Sequence, residues 1–312
     1  MKNSKNIQEV QYDGLLWVNV IQQKEKELRE IQKRFGFEEQ DIKESLPPFQ
    51  RPKIVKRDDY YFMVLHFPVF DRETRRLGFT EVDFFLSASH LVTIHDNKLL
   101  AIDNFFEQCK KSEKAKKEFF SGTAVHILFE ILTRLLDSIF PILLHVNDDI
   151  NLVDKKLFNK TVSGKVMVEE ILRLKTNVVT FRRTMQGHRT VLERLIMYSG
   201  RELDLVSYQG YINSLREFAN EIWNMLESQN ESISALHESN ESMLSLRTNE
   251  VMRTLTVISV VTFPLSLLAA WMDIGAQDNP FLQLNGGFAL ASGIILGIGA
   301  LMIWWFRRKK WM

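Results

Sequence analysis

Two apolar segments near the C-terminal end of the sequence, 251–271 and 285–306, constrain this chain more than any other feature. At a rise of about 1.5 Å per residue, roughly 20 apolar residues in a helix cross the hydrocarbon core of a bilayer, and each segment is long enough. The linker between them is rich in Asp, Asn, Gln and Pro. From Trp271 to Phe306 there is no Lys, Arg or His, whereas Arg247 and Arg253 precede or open the first segment and Arg307, Arg308, Lys309 and Lys310 follow the second. The positive-inside bias then predicts a multi-pass protein of the cell membrane with both termini in the cytoplasm.

About 240 residues precede the first span in a chain of 312, so a sizeable soluble domain is expected. A formal net charge of +1 offers no basic excess for nucleic acid. The single Cys109 fits a reducing compartment. Met1 to Val10 is polar and has no apolar core, so insertion is expected to be driven by the two C-terminal spans.

Residues 1–122 read as a cytosolic α+β domain. Leu15 to Val20, Tyr60 to Val69, Glu81 to Leu86 and His90 to His95 are short β-branched and aromatic runs between polar, Gly or Pro punctuation, as strands require. Glu25 to Phe35 and Glu38 to Leu46 carry helical spacing, and Pro47-Pro48 ends the second. The arrangement predicts a sheet covered by helices.

Residues 123–247 read as long helices and a stalk. Ala124 to Phe158 has one apolar stripe with a kink expected at Pro141, and Val166 to Met197 resumes after a break at Thr161-Val-Ser-Gly. A third helix starts near Leu203, and no stop signal follows before the membrane. A single rod of about 100 Å is expected, leading into the membrane domain, residues 248–312. Gln229 and Asn240 interrupt its apolar stripe; they either set coiled-coil register or face a wet funnel between subunits.

Asn249, Met252, Leu255, Thr256, Ser259, Phe263 and Ser266 fall along one face of the first span. Polar groups in a membrane are costly unless they meet protein or water, which makes this the candidate pore lining. The alternative is that the Ser and Thr hydroxyls bond their own helix or a neighbouring one. In the second span Gly293 and Gly297 form a small-xxx-small pair suited to close packing, and Trp304, Trp305 and Trp311 suit an interfacial belt.

The run Asn249 to Met252, Leu255-Thr256, Pro264-Leu265-Ser266 and the ending Phe306 to Met312 closely resemble the pore end of CorA-type magnesium transporters. Gln50 to Ile54, Asp59 to His66, Glu81 to Leu86 and Leu91 to His95 resemble the cytosolic domain of the same family, so the likeness covers nearly the whole chain. It implies a CorA-like funnel, a homopentamer in the lipid bilayer with the first span innermost, and a divalent cation, magnesium by resemblance, as substrate rather than as a permanently bound cofactor. Met252, Leu255 and Phe263 would be apolar constrictions, and Ser259 and Ser266 wet positions between them.

Two family motifs are altered. The first span in the family ends Tyr-Gly-Met-Asn, where Gly-Met-Asn selects the ion; here the matching residues are Met272, Asp273, Ile274 and Gly275, with Asp278 and Asn279 following. At the regulatory magnesium site between subunits, Ser214 takes the position of a sensing Asp, while Asp71 matches its partner. A hard cation loses a charged oxygen there, so feedback by magnesium should weaken.

His95-Asp96 and Asp148-Asp149 lack a nucleophile or a spaced ligand set, and no phosphate loop, zinc spacing or hydrolase elbow is present, so no enzyme is expected. The chain reads as a CorA-like channel or transporter of metal ions. The second reading is a non-conducting sensor or regulatory module on the same scaffold, favoured by the altered filter.

Overall fold

The computed structural model describes residues 6–22, 24–157, 164–198, 208–273, 286–309 and 311. The chain divides into two compact units, Met1–His237 and Glu238–Met312.

In the first unit, β1 (Ile7–Tyr12), β2 (Leu15–Ile21), β3 (Lys53–Lys56), β4 (Tyr61–Asp71), β5 (Arg76–Leu86) and β6 (His90–His95) form one mixed sheet in the order β1-β2-β6-β5-β4-β3. All neighbours are antiparallel except β2 and β6, which pair in parallel from Leu16 opposite His90 to Ile21 opposite His95. The β1–β2 hairpin closes on Asp13-Gly14, both with positive φ (47° and 82°), the conformation that a tight two-residue turn demands.

Period-2 alternation puts apolar side chains on both faces of the sheet. Phe62, Val64, Phe85, Val92 and Ile94 face α1 (Glu25–Phe35) and α2 (Glu39–Glu44), and pack with Leu28, Ile31 and Ile42. Met63, Leu65, Phe67, Phe84 and Trp17 face the larger core. That core is completed by α3 (Leu100–Lys111), α4 (Glu113–Phe119), α5 (Ala124–Asp137), α6 (Phe140–Leu157), α7 (Gly164–Met197) and the first part of α8 (Gln209–Asp273). The expected sheet covered by helices is what forms, with helices on both faces.

The expected single helix from Ala124 to Phe158 is instead two. Pro141 has no N–H to bond the carbonyl of Asp137, and it sits in the first turn of α6, where that N–H is not needed. Ser138 N–H still bonds Arg134 O, and Ile142 and Leu143 N–H then restart on Ile139 O. The helical hydrogen bonds are therefore interrupted at Ser138-Ile139, two residues before Pro141, and restart from Ile139. Strands β1 and β3 and the extension of β5 back to Arg76 were also not anticipated.

α8 runs 65 residues without interruption and continues through Pro264. The residues where this helix was expected to start, near Leu203, and the break at Thr161 to Ser163 lie outside the described residues. Among the described residues, the end of α8 and α9 (Gly287–Arg308), both in the second unit, are the two helices long and apolar enough to cross a membrane.

Candidate pore-lining face and regulatory carboxylates

The two apolar helices of the second unit meet along a narrow seam. On α8, Val257 is 3% exposed, and Val261, Leu265 and Leu268 are half-buried at spacings of four, four and three. On α9 the close approach is at Gly299, where an added Cβ would lie 3.1 Å from Leu265 Cδ1. Gly293 and Gly297, the pair expected to pack, have no heavy atom within 4 Å of where a Cβ would stand.

At about 100° per residue, Met252, Leu255, Ser259, Phe263 and Ser266 fall on the side of α8 opposite that seam, with Asn249 and Thr256 at its edge, in an arc of roughly 120°. Phe263 is 74% exposed, and Met252, Leu255 and Asn249 are exposed as well. A helix cannot bury two opposite faces against one neighbour, so among the described residues this face, where only Ser259 is half-buried, is not packed against α9. Thr256 Oγ1 donates to Met252 O at 2.8 Å, as Thr254 does to Glu250 O at 2.9 Å, so those hydroxyls are satisfied by their own helix.

The mouth is only partly in view. α8 reaches Asp273, whose side chain lies outside the described residues together with all of Ile274, Gly275, Asp278 and Asn279.

In the first unit, Asp71 closes the β4–β5 hairpin opposite Arg76. Its Oδ1 accepts from the N–H groups of Glu73 (2.9 Å) and Thr74 (3.3 Å), and the bonds from Thr74, side chain first, hold its carboxyl below the usual range. Ser214 Oγ donates to Gly210 O at 3.1 Å. Each residue is thus occupied locally, and no cluster of three or more His, Cys, Asp or Glu able to hold a metal occurs among the described residues.

What fixes the hairpin tip escaped the sequence reading. Arg75, at φ 52°, places one guanidinium nitrogen 2.8 Å from Asp149 Oδ1 and another 3.5 Å from Glu170. Arg173 bridges the same two carboxylates at 3.1 and 2.7 Å and also donates to Arg75 O, which Asn177 Nδ2 reaches at 3.0 Å. Asp149 was noted only as half of an acidic pair; its buried place in an ion network on α6 and α7 has no local sequence signal.

His95 is fully buried in a polar chain. Trp17 Nε1 donates to Thr93 Oγ1, which donates to Asn19 Oδ1; His95 Nε2 lies 3.0 Å from the same oxygen, and Asn97 N–H donates to His95 Nδ1. That pattern fixes the proton on Nε2, and burial pushes the pKa down to about 4. Burial likewise pushes the Cys109 thiol up to about 12, which leaves it unreactive. These groups build the core of the sheet.

The family described as CorA-like Mg2+ transporter protein matches residues 12–308. The cobalt/magnesium transport protein CorA of Thermotoga maritima is 22% identical over 279 residues, covering 89% of this chain and 78% of that protein. YfjQ of Bacillus subtilis is 27% identical over 299 residues, covering 95% of this chain and 89% of that one. The solved structure of the complete CorA magnesium transporter from Methanocaldococcus jannaschii superposes with a TM-score of 0.83 at 19% identity, over 98% of this chain and 94% of its own. None of these likenesses favours a non-conducting module.

Proposed function

Because the chain belongs to the CorA-like Mg2+ transporter family, we propose that it assembles as a homopentamer whose first spans line a path for divalent cations and whose altered mouth sets their selection. The family is one of membrane-embedded, homo-oligomeric metal-ion transporters. The observation that carries the reading is the face of α8 from Asn249 to Ser266: it lies opposite the seam with α9 and combines polar groups with exposed apolar side chains. Two spans cannot enclose a path alone. A cyclic head-to-tail ring brings such faces together, with α8 inside and α9 outside. Both termini then lie in the cytoplasm, as the charge bias of the flanks requires.

At the mouth, Asp273 stands where the family has Gly and Gly275 where it has Asn. Asp273 is the last described residue of α8 and follows directly on its apolar span. Five carboxylates around one axis would attract a cation strongly and coordinate it directly. That favours calcium, manganese or zinc over magnesium, which dehydrates reluctantly. Asp278 and Asn279 are the next polar groups available to the ion. Regulation through Asp71 loses one charged partner per seam to Ser214, so magnesium should act weakly as an inhibitor.

The test is flux of magnesium, calcium, manganese and zinc into liposomes carrying the purified protein, compared with Asp273→Asn. Flux that falls on acidification and loses its divalent preference in the variant supports the reading. Unchanged selectivity and pH profile would remove Asp273 from the filter, and no flux of any ion would remove transport. A monomer by native mass measurement would remove the shared path.

A further inference from the structure

In the second unit, the start of the first apolar span and the end of α9 carry a set of exposed cations, Arg253, Arg307, Arg308 and Lys309. Arg253, near the start of the first span, places its guanidinium carbon 5.4 Å over the ring of Trp311. Arg308, in the last turn of α9, does the same over Trp304 at 5.5 Å. Trp311 is held there by its N–H to Phe306 O (3.0 Å) and by ring contact with Phe306 at 5.9 Å, and Phe306 is itself buried. Arg307 and Lys309 flank the pair, and all four cations are exposed. None of the four is paired with a carboxylate among the described residues, although Glu250 lies one turn before Arg253.

A guanidinium over an indole remains charged and exposed, and its planar fork of N–H donors matches two oxygens of a phosphate. Within two turns of these cations, α9 also exposes Leu301, Trp304 and Trp305, an apolar surface of the composition found where a span meets the membrane interface. Charge beside an apolar surface suits an amphiphile, and a free phosphate would use only half of the surface. We infer that Arg253, Arg308 and Lys309, set by Trp311 and Trp304, form a binding site for the headgroup of an anionic phospholipid. The site joins the base of the first span to the end of the second through one lipid. It needs the spans to lie in a bilayer but not that the path conducts, so a protein that moves no cation yet retains lipid leaves it standing.

Native mass spectrometry of the full-length oligomer, stripped of lipid and titrated with phosphatidylglycerol or phosphatidylcholine, reads it directly. Phosphatidylglycerol adducts are expected to survive activation that removes phosphatidylcholine, and to fall severalfold in the Arg253→Gln, Arg308→Gln double variant. Trp311→Phe and Arg253→Lys, which keep the charge count but disturb the stack or the fork, are expected to lose part of the retention with the oligomer intact. Equal retention of the two lipids, or of phosphatidylglycerol by parent and double variant, would overturn the site. Displacement of phosphatidylglycerol by inorganic phosphate at equal concentration would overturn the lipid as its occupant. Should the double variant not assemble, unchanged retention in Arg253→Lys overturns the proposal and reduced retention upholds it.

Discussion

The side-chain amide of Gln229 on α8 donates to the main-chain carbonyl of Leu143 on α6 at 2.9 Å, in a seam otherwise closed by Ile222, Leu226, Ile233 and Leu236. These positions alternate by four and three, the spacing of a coiled-coil seam, and Gln229 occupies one of its apolar places. Its Oε1 is buried with no partner among the described residues. Gln229 is therefore a register pin within the chain, which decides between the two readings its sequence left open. Sliding α8 by one turn would exchange the bond for an apolar contact.

Gln229→Leu removes both the bond and the unpartnered oxygen at nearly constant volume, so the apparent Tm should stay level or rise, within about 1 kcal/mol. Gln229→Ala adds a cavity and should cost about 1–3 kcal/mol. Thermal unfolding followed by circular dichroism measures both. If Leu proves the more damaging change, the hydrogen bond outweighs the buried oxygen.

α7 crosses β3 at a glycine. A Cβ on Gly187 would stand 2.5 Å from Cβ and Cγ of Pro52, a rigid ring that cannot swing aside. Gly187→Ala should therefore destabilise by about 1–3 kcal/mol through overpacking. Gly210 is helical with no heavy atom within 4 Å of its missing Cβ, so Gly210→Ala should gain about 0.5–1 kcal/mol from helix propensity. Opposite shifts in apparent Tm are expected, and a neutral Gly187→Ala would mean that α7 can move off Pro52.

Much of this fold was legible because the sheet writes a period of two. Residues Tyr61 to Phe67 alternate between two cores, and every side chain in the run is apolar except the half-buried His66. β1 was missed because its polar face dilutes the pattern, although Asp13-Gly14 was a sufficient turn signal. Pro141 was misjudged for want of one fact, whether its N–H position fell in a helix interior or a first turn. The exposed face of α8 was legible because polar residues at helical spacing stand out in an apolar span. The ion network of Arg75, Asp149, Glu170 and Arg173 was not, since it ties Arg75 to carboxylates 74 and 95 positions away and each reads alone as an ordinary surface charge. Gly299 was passed over for the same reason: packing at 3.1 Å against Leu265 depends on the partner, and the Gly293/Gly297 motif matched in spacing alone.

Titration of the buried groups of the first unit has two opposed parts. Burial pushes the pKa values of His95 and His188 down to about 4, against about 6.5 when unfolded. Between those values the unfolded chain binds more protons, so stability falls as pH drops, by up to about 1.4 kcal/mol per pH unit for each histidine. Burial, and then the charge of Glu81, raises Asp83 well above the usual carboxylate range. Its contribution is fully present below the unfolded value near 3.9 and is lost as pH rises toward the folded one. Asp83→Asn removes the opposing part. It should raise apparent Tm more at pH 7 than at pH 4.5 and so steepen the acid loss; parallel curves for parent and variant would mean that Asp83 is ionised throughout.

The apolar part of the proposed path can be tested against its own helix. Met252 and Leu255 lie on the α8 face opposite α9, each 56% exposed, while Val257, two residues on, is 3% exposed in the seam. In a ring of copies the Met252 and Leu255 side chains converge, and an apolar constriction of that kind blocks ions by excluding water. Leu255→Ser hydrates it without touching the contact with α9, so leak of divalent cations from loaded liposomes should rise with the oligomer unchanged. Val257→Ser makes the same chemical change in the seam; it should weaken packing between the spans, lower the apparent Tm and leave the leak as it was. If Leu255→Ser and its parent show the same flux, the barrier lies elsewhere on the helix. If Val257→Ser leaks and Leu255→Ser does not, the faces of α8 are assigned the wrong way round and the path runs on the side of Val261 and Leu265.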